Sequence, residues 1–252
     1  MQRSDEPNFE RLQFFAQRHR PSRMPIAHWH SQVEINYLAD GDMTYLINGQ
    51  LVRLIGTRMA VFWGATPHQV VGREGQSDLV VIYVPLGEFL RLRLPDDFRR
   101  RLMGGAFLVD QDADPADAIL FPRWHHDLDT GRDDVKALVS QEVACRLWRF
   151  AIAGYTLVRG IDVASKPGHG SGDASMERVR TMAVFIAEHF AERLRIEDIA
   201  RAAGIHAHYA MSLFRSEIGM TIHDYLTRQR MSHAQSMLIE TDLPVSAIAE
   251  AA

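Results

Sequence analysis

Between residues 33 and 84 the apolar positions fall in short β-branched and aromatic runs, VEINYLA, MTYLIN, QLVRLI, RMAVFW and LVVIYV, broken by turn signals such as Asp40-Gly41 and Asn48-Gly49. Runs of this length, bounded by glycine, asparagine and aspartate, predict a β-rich module. Asn48 and Gly49 both tolerate positive φ, and their place between TYLI and QLVRL predicts a two-residue hairpin. After about Asp114 the period changes. Val135, Leu138, Val139, Val143, Leu147, Phe150 and Ala151 follow three-and-four spacing, which predicts an amphipathic helix with Trp148 on its stripe. Such a stripe packs either on its own barrel or on a second subunit, and spacing alone does not choose between them.

From Ser165 to Ser175 the sequence SKPGHGSGDAS has no apolar periodicity, and its glycine, serine and proline content predicts a flexible linker. Every segment beyond it reads as helix. Met176, Val179, Met182, Ala183, Ile186 and Phe190 give one helical face, and Ile196 to Ala203 give a short second helix ending at Gly204. A third helix is expected from about Ala207 to Glu217, with Tyr209, Ala210, Leu213 and Phe214 turned inward. Thr221-x-x-Asp224 resembles a capping box opening a long helix to about Glu240, whose inner face carries Ile222, Tyr225, Leu226, Ala234 and Leu238; Pro244 starts another. The predicted fold class is therefore α+β and multidomain, with an antiparallel β-barrel and flanking helices over 1–164, a linker over 165–175 and an all-α domain over 176–252.

Composition narrows the setting. The 252 residues are 46% apolar and 24% charged, which excludes a disordered or fibrous chain. No apolar run approaches the roughly 18 residues of a membrane span, and the start lacks an apolar signal core, so a cytoplasmic location is expected. Cys145 is the lone cysteine, so an internal disulfide and a cysteine-rich zinc site are both excluded. The net charge of −4 argues against general nucleic-acid affinity. Residues 175–252 alone hold eight arginines, no lysine and ten acidic residues, a local net of −2 that leaves little sequence-independent attraction for DNA.

The most chemical stretch is His28-Trp29-His30 followed by Glu34. Alternation in an extended strand puts His28 and His30 on one face and Trp29 on the other, and His68 adds a fourth potential ligand. Three imidazoles and a carboxylate suit zinc, iron, nickel or manganese. The same groups suit a metal-free pocket for an organic ligand, and a structural hydrogen-bonding role is the third reading. Our expectation is the metal-free effector pocket, made by His28, His30, Glu34, Trp63 and His68, with Trp63 stacking on a sugar ring. No cofactor is expected.

The spacing His28-x-His30-x3-Glu34-x6-Gly41 resembles the first motif of the cupin superfamily, a small antiparallel β-barrel. The second motif departs from the pattern: in Gly56-x5-Phe62-x-Gly64-x3-His68 phenylalanine replaces the usual proline, one extra residue precedes the histidine, and Gly72 stands where the family has asparagine. In the helical region, Ile199-Ala200-x2-Ala203-Gly204-Ile205-x3-Tyr209-x3-Leu213-Phe214-x4-Gly219-Met220-Thr221-x3-Tyr225-Leu226-x3-Arg230-x3-Ala234-x3-Leu238 resembles the AraC/XylS family of bacterial transcription regulators. Ile248-Ala249 falls where that family begins its second helix-turn-helix, so the chain is expected to lack the rest of that unit.

The resemblance implies a ligand-responsive, sequence-specific DNA-binding regulator, a homodimer acting on operator DNA, with a small carbohydrate such as an α-galactoside as effector and operator occupancy or RNA polymerase contact as output. Helix geometry then turns His206, His208, Met211, Ser212 and Arg215 toward DNA, and Arg228 and Arg230 are phosphate candidates, Arg230 having a structural ion pair as its other reading. No enzymatic activity is expected. The rival class is a metal-dependent cupin enzyme, an isomerase or oxygenase, with a helical appendage.

Overall fold

The computed structural model describes residues 14–47, 50–159, 173–241 and 243–252. The turn residues Asn48 and Gly49, most of the expected linker, and the side chains of Val158, Arg159, Asp173 and five residues of the 222–240 helix lie outside what it describes.

The chain divides into two compact units. The first is built on strands β1 (Phe15–His19), β2 (Val33–Leu38), β3 (Asp42–Ile47), β4 (Gln50–Ile55), β5 (Met59–Trp63), β6 (His68–Glu74), β7 (Leu79–Val84), β8 (Phe107–Asp110) and β9 (Tyr155–Arg159). They form a six-stranded sheet of order β1-β7-β2-β5-β8-β9 and a three-stranded sheet of order β4-β3-β6, with every pairing antiparallel. The expected hairpin is present in its strands: Ile47 faces Gln50 and the ladder runs on to Asp42 opposite Ile55.

Strands β2, β5 and β7 are buried at every position, because the large sheet is covered on both faces. One face meets the small sheet. There Leu38, Met43, Tyr45, Val52, Leu54, Phe62, Val81, Tyr83 and Phe107 share one core. The other face is covered by helices, as in the stacking of Tyr37 on Phe121 of α3 (Asp117–Asp129) at 4.8 Å. Helix α4 (Asp133–Ala153) buries Val139, Val143, Leu147 and Phe150, as its period predicts, but leaves Leu138, Trp148 and Ile152 exposed.

Arg146 of α4 ties these layers together. Its guanidinium donates to Asp117 at 2.7 Å through both Nε and Nη2, and to Asp110 at 2.5 Å, while Asp110 also accepts the Met59 amide at 3.2 Å. Burial pushes both carboxyls up, and Arg146 opposes that shift.

The second unit is helical. It comprises α5 (Asp173–His189), α6 (Ile196–Ala202), α7 (Ala207–Ile218), α8 (Ile222–Glu240) and α9 (Val245–Ala251). Its first helix begins at Asp173, inside the stretch expected as linker. Gly204 sits at φ 67° in the α6–α7 turn, a conformation in which a Cβ would be strained. Thr221 caps α8 by accepting the Asp224 amide at 3.0 Å, and its hydroxyl donates to the Asp224 carboxylate at 2.7 Å.

Three details depart from expectation. A short helix, α1 (Leu86–Arg91), follows β7 in sequence but packs on α5 as part of the helical unit, burying Leu86, Phe89 and Leu90; a second, α2 (Asp96–Met103), returns the chain to the sheet unit. Tyr209 and Leu238, expected inward, are 45% and 54% exposed. No helix among the described residues is long and apolar enough to cross a membrane.

Replacing Arg146 by Met strands two carboxylates in the interior, so unfolding free energy should drop by about 3–5 kcal/mol. Denaturant unfolding of the triple variant Arg146→Met, Asp110→Asn, Asp117→Asn should show a smaller loss. A single variant as stable as the parent would contradict the reading.

Candidate functional site

Two neighbouring pieces of chain build the polar centre of the sheet unit. His28 pairs with His68 through two backbone hydrogen bonds of 2.9 Å, which draws the segment before β2 against β6. The His30 amide donates to Gly64 O at 2.9 Å and the Gly64 amide to Gln32 O at 2.9 Å. A Cβ on Gly64 would overlap the His30 ring, so only glycine allows that ring its place. Glu34 stands in β2 opposite Phe62, on the face turned to the shared core.

The four side chains converge. His30 Nε2 lies 2.5 Å from Glu34 Oε1, and His68 Nε2 lies 3.3 Å from the same oxygen. One donor atom from each of His28, His30, Glu34 and His68 fits within 4.8 Å of all the others. Asn36 donates to Glu34 Oε2 at 3.0 Å, and Tyr45 donates to Asn36 Oδ1 at 3.2 Å. Phe62, Tyr83 and the rings of the histidines themselves pack around this group, with Phe62 and His68 centroids 4.9 Å apart and His30 and Tyr83 5.6 Å apart.

Electrostatics follows from burial. It pulls His28 well below, and His30 below, the ordinary histidine range, with His68 adding to the effect on both. Burial alone would raise the Glu34 carboxyl. Attraction to His68 and the hydrogen bond to His30 overcome that and hold it well below the usual carboxylate range. The centre therefore presents an ionised carboxylate among imidazoles, in a setting from which water is largely excluded.

Of the residues expected here, the structure brings together His28, His30, Glu34 and His68, and not Trp63. Trp63 pairs with Val33, one residue out of phase with the Glu34–Phe62 pair, so it points to the helix-covered face, where its Nε1 donates to Ser31 O at 2.9 Å. Phe62 takes the place assigned to Trp63. Asn36 was legible, being two residues beyond Glu34 on the same strand face, whereas Tyr45 and Tyr83 reach the site through strand pairings that no local pattern announces. The four donors are close enough to hold one metal ion and too close to admit a sugar ring between them. Elsewhere in the same unit a cleft of about 250 Å³ is lined in part by Arg18, Arg20, Tyr37, Gln76, Ser77 and Asp78.

In the helical unit α6 and α7 are joined by a short turn. Ala210, Leu213, Phe214 and Ile218 of α7 are buried, and His206, His208, Met211, Ser212 and Arg215 are exposed, as expected. Tyr209 joins that outward face. Arg230 does not: its Nε donates to Phe190 O at 2.8 Å and its Nη2 to Glu192 O at 2.7 Å, so its guanidinium satisfies carbonyls at the end of α5 instead of standing ready for phosphate. Arg228 is half-buried.

A sheet-rich unit with a buried polar centre is joined in one chain to a helical unit whose second helix faces outward, and comparison with known proteins places that helical unit. Residues 199–252 match the family model described as a helix-turn-helix domain. The chain is 28% identical over 229 residues to the melibiose operon regulatory protein of Escherichia coli K12, covering 91% of this chain and 76% of that protein. It is 30% identical over 76 residues to the lactose operon transcription activator of Staphylococcus xylosus, covering 30% of this chain and 27% of that protein. Among solved structures, ToxT of Vibrio cholerae with bound unsaturated fatty acid gives a TM-score of 0.57 at 10% identity, covering 94% of this chain and 84% of that one, a likeness of fold. The chain thus carries a helix-turn-helix domain over residues 199–252 and is similar along most of its length to a transcription regulator.

The overlap at Gly64 gives a local test. Gly64→Ala should cost about 1–3 kcal/mol, the usual penalty of overpacking a filled core. Gly72→Ala, whose Cβ would stand 3.7 Å from Thr44, should cost far less. Equal melting temperatures for the two variants would show that His30 does not occupy the assigned position.

Proposed function

We propose that the chain is a sugar-responsive regulator that reads DNA through α7 and acts as a homodimer. The observation that carries the proposal is the outward face of α7, with His208, Tyr209, Met211, Ser212 and Arg215 on the second helix of a matched helix-turn-helix and His206 at its N-cap. Arg215 has the reach and fork for guanine or phosphate, Ser212 donates or accepts, and Met211 suits a thymine methyl; Arg228 is the phosphate candidate on α8. The names of the melibiose and lactose regulators support a carbohydrate effector. The crowding at the tetrad favours the cleft by Arg20, Gln76 and Asp78 as its seat, a volume near the lower end of ligand-pocket sizes, about 300 Å³. Effector binding shifts operator occupancy or polymerase contact only as far as its affinity differs between the two states of the protein. A metal-dependent cupin enzyme would use the tetrad directly; the helix-turn-helix match and the regulatory relatives favour the present reading.

The test is footprinting of the full chain on DNA upstream of sugar-utilisation genes, with and without melibiose. Site-selective protection should weaken steeply with salt, and Arg215→Ala should lower affinity by about 1–3 kcal/mol, roughly 5- to 150-fold. Absence of site-selective binding at low salt would reject the proposal.

The support for dimerisation is the outer stripe of α4. Leu138, Cys145 and Ile152 recur every seven residues, with Gln141 and Trp148 between them, the a and d spacing of a helix–helix seam, and Leu138, Trp148 and Ile152 are 53%, 38% and 76% exposed. Cys145 is exposed at the midpoint, so twofold pairing centred there sets the two thiols face to face. Mild oxidation should therefore give a covalent dimer, suppressed several-fold by Leu138→Glu with Ile152→Glu. A monomer in sedimentation at micromolar concentration would contradict this arrangement.

A further inference from the structure

We infer that the cleft beside α3 takes a single sugar ring bearing one carboxylate, of the hexuronic acid class, with Arg20 as its anion ligand and Tyr37 as its innermost hydrogen-bonding group. This rests on the sugar-responsive reading above and narrows it to one acidic ring.

The first support is the strand register that assembles the cleft. Arg18 of β1 pairs with Val80 of β7, and Val80 pairs with Tyr37 of β2, so three lining side chains form one row across the sheet. The same alternation carries Arg20, Asp78 and Ala39, also lining, into the next row, where the strands end. Ala118 and Pro122, one turn apart on α3, complete the wall. Phe15, Leu38, Val81 and Tyr83 have the opposite phase and belong to the barrel core. The cleft therefore lies on the other side of the sheet from Glu34 and its histidines.

The second support is the polar capacity left unused there. Tyr37 is 4% exposed, and its backbone is engaged in the ladders with β5 and β7, so the hydroxyl is the polar group it can offer. That hydroxyl makes no hydrogen bond among the described residues. Burial, with the Asp117 charge adding to it, raises its pKa above the ordinary tyrosine range, so it meets a ligand as a hydroxyl. Arg20 also makes no hydrogen bond or ion pair among the described residues, whereas Arg18 is held by Asp78 at 3.0 Å. A buried hydroxyl without a partner is costly, and a ligand oxygen removes the cost.

The third support is charge and size. Arg18, Arg20 and Asp78 leave one positive charge among the lining residues. His125, three residues beyond Pro122 on α3, is kept below the ordinary histidine range by burial and so brings no charge at neutral pH. One carboxylate cancels the charge and fits the fork of a guanidinium, whereas a phosphate monoester, at about −1.5 to −2, exceeds it. The volume of about 250 Å³ falls below the roughly 300–1,000 Å³ of sites for larger ligands, which suits one ring and not a disaccharide. Val80 and Pro122 offer apolar contact to the C–H face of a ring, and Gln76, Ser77 and Asp78 offer donors and acceptors to its hydroxyls.

The experiment is isothermal titration calorimetry on the full chain with galacturonate, glucuronate, galactose, melibiose and galactose 6-phosphate. One of the two hexuronates should bind once per chain, about tenfold or more tighter than any of the other three sugars. Arg20→Ala should weaken that binding by about 10- to 100-fold and leave the melting temperature of the free protein unchanged. Tyr37→Phe, which keeps the ring stacked on Phe121, should weaken it by about 3- to 10-fold. Absence of saturable hexuronate binding would overturn the inference. So would equal or tighter binding of galactose, melibiose or the phosphate, or an Arg20→Ala variant that binds like the parent. Footprinting the same preparation separates the two proposals: hexuronate binding without site-selective DNA binding rejects only the regulatory reading, and site-selective DNA binding without hexuronate binding rejects only this one.

Discussion

An ionised carboxylate inside an apolar barrel is the constraint around which the sheet unit is arranged. Glu34 lies on the inward face of a central strand, where leaving a charge unpaired would cost more than most folded domains have in reserve. The chain meets this cost by convergence. A two-residue backbone bridge brings His28 and His68 together, Gly64 makes room for His30, and Asn36 and Tyr45 secure the oxygen that faces away from the rings. The aromatic packing of Phe62 and Tyr83 then closes the centre to solvent, which lends each remaining polar contact its strength.

The outer face of the same sheet follows a parallel logic with the opposite charge. Arg146 is buried between Asp110 and Asp117, and the three groups fix α4 against the start of α3 and the end of β8. With both faces of the large sheet occupied, the exposed apolar stripe of α4 is surplus to the core of the sheet unit. The α1 segment adds a covalent consequence: β7, which carries Tyr83 at the polar centre, leads through Pro85 directly into a helix that packs within the helical unit. The two units are thus laced through one another in sequence and are not simply strung in order.

Much of this was readable before any coordinates. The periods of two and of three-and-four located the strands and helices, because one-sided burial writes itself into alternation, and the inward set Ala210, Leu213 and Phe214 followed from helix geometry alone. The histidine and glutamate positions were legible from their spacing. Trp63 was not, since strands buried on both faces show no polar face to fix their phase, and a shift of one residue moves a side chain through the sheet. Tyr209 and Leu238 were misplaced because an apolar stripe gives a face but not its edges. Arg230 was decided by carbonyls nearly forty residues earlier in the chain, a partnership that composition does not record. The union of α1 with the helical unit likewise depends on tertiary packing.

The central claim is that the sheet unit is arranged around a Glu34 carboxylate that stays ionised because His30, His68 and Asn36 surround it. Carbon-13 NMR of the Glu34 side-chain carboxyl in the full chain, followed as the pH is lowered, tests it most directly. The account predicts that the folded chain keeps the chemical shift of a carboxylate below the ordinary carboxylate range. A Glu34 carboxyl that takes up its proton within or above that range while the chain is still folded would contradict it.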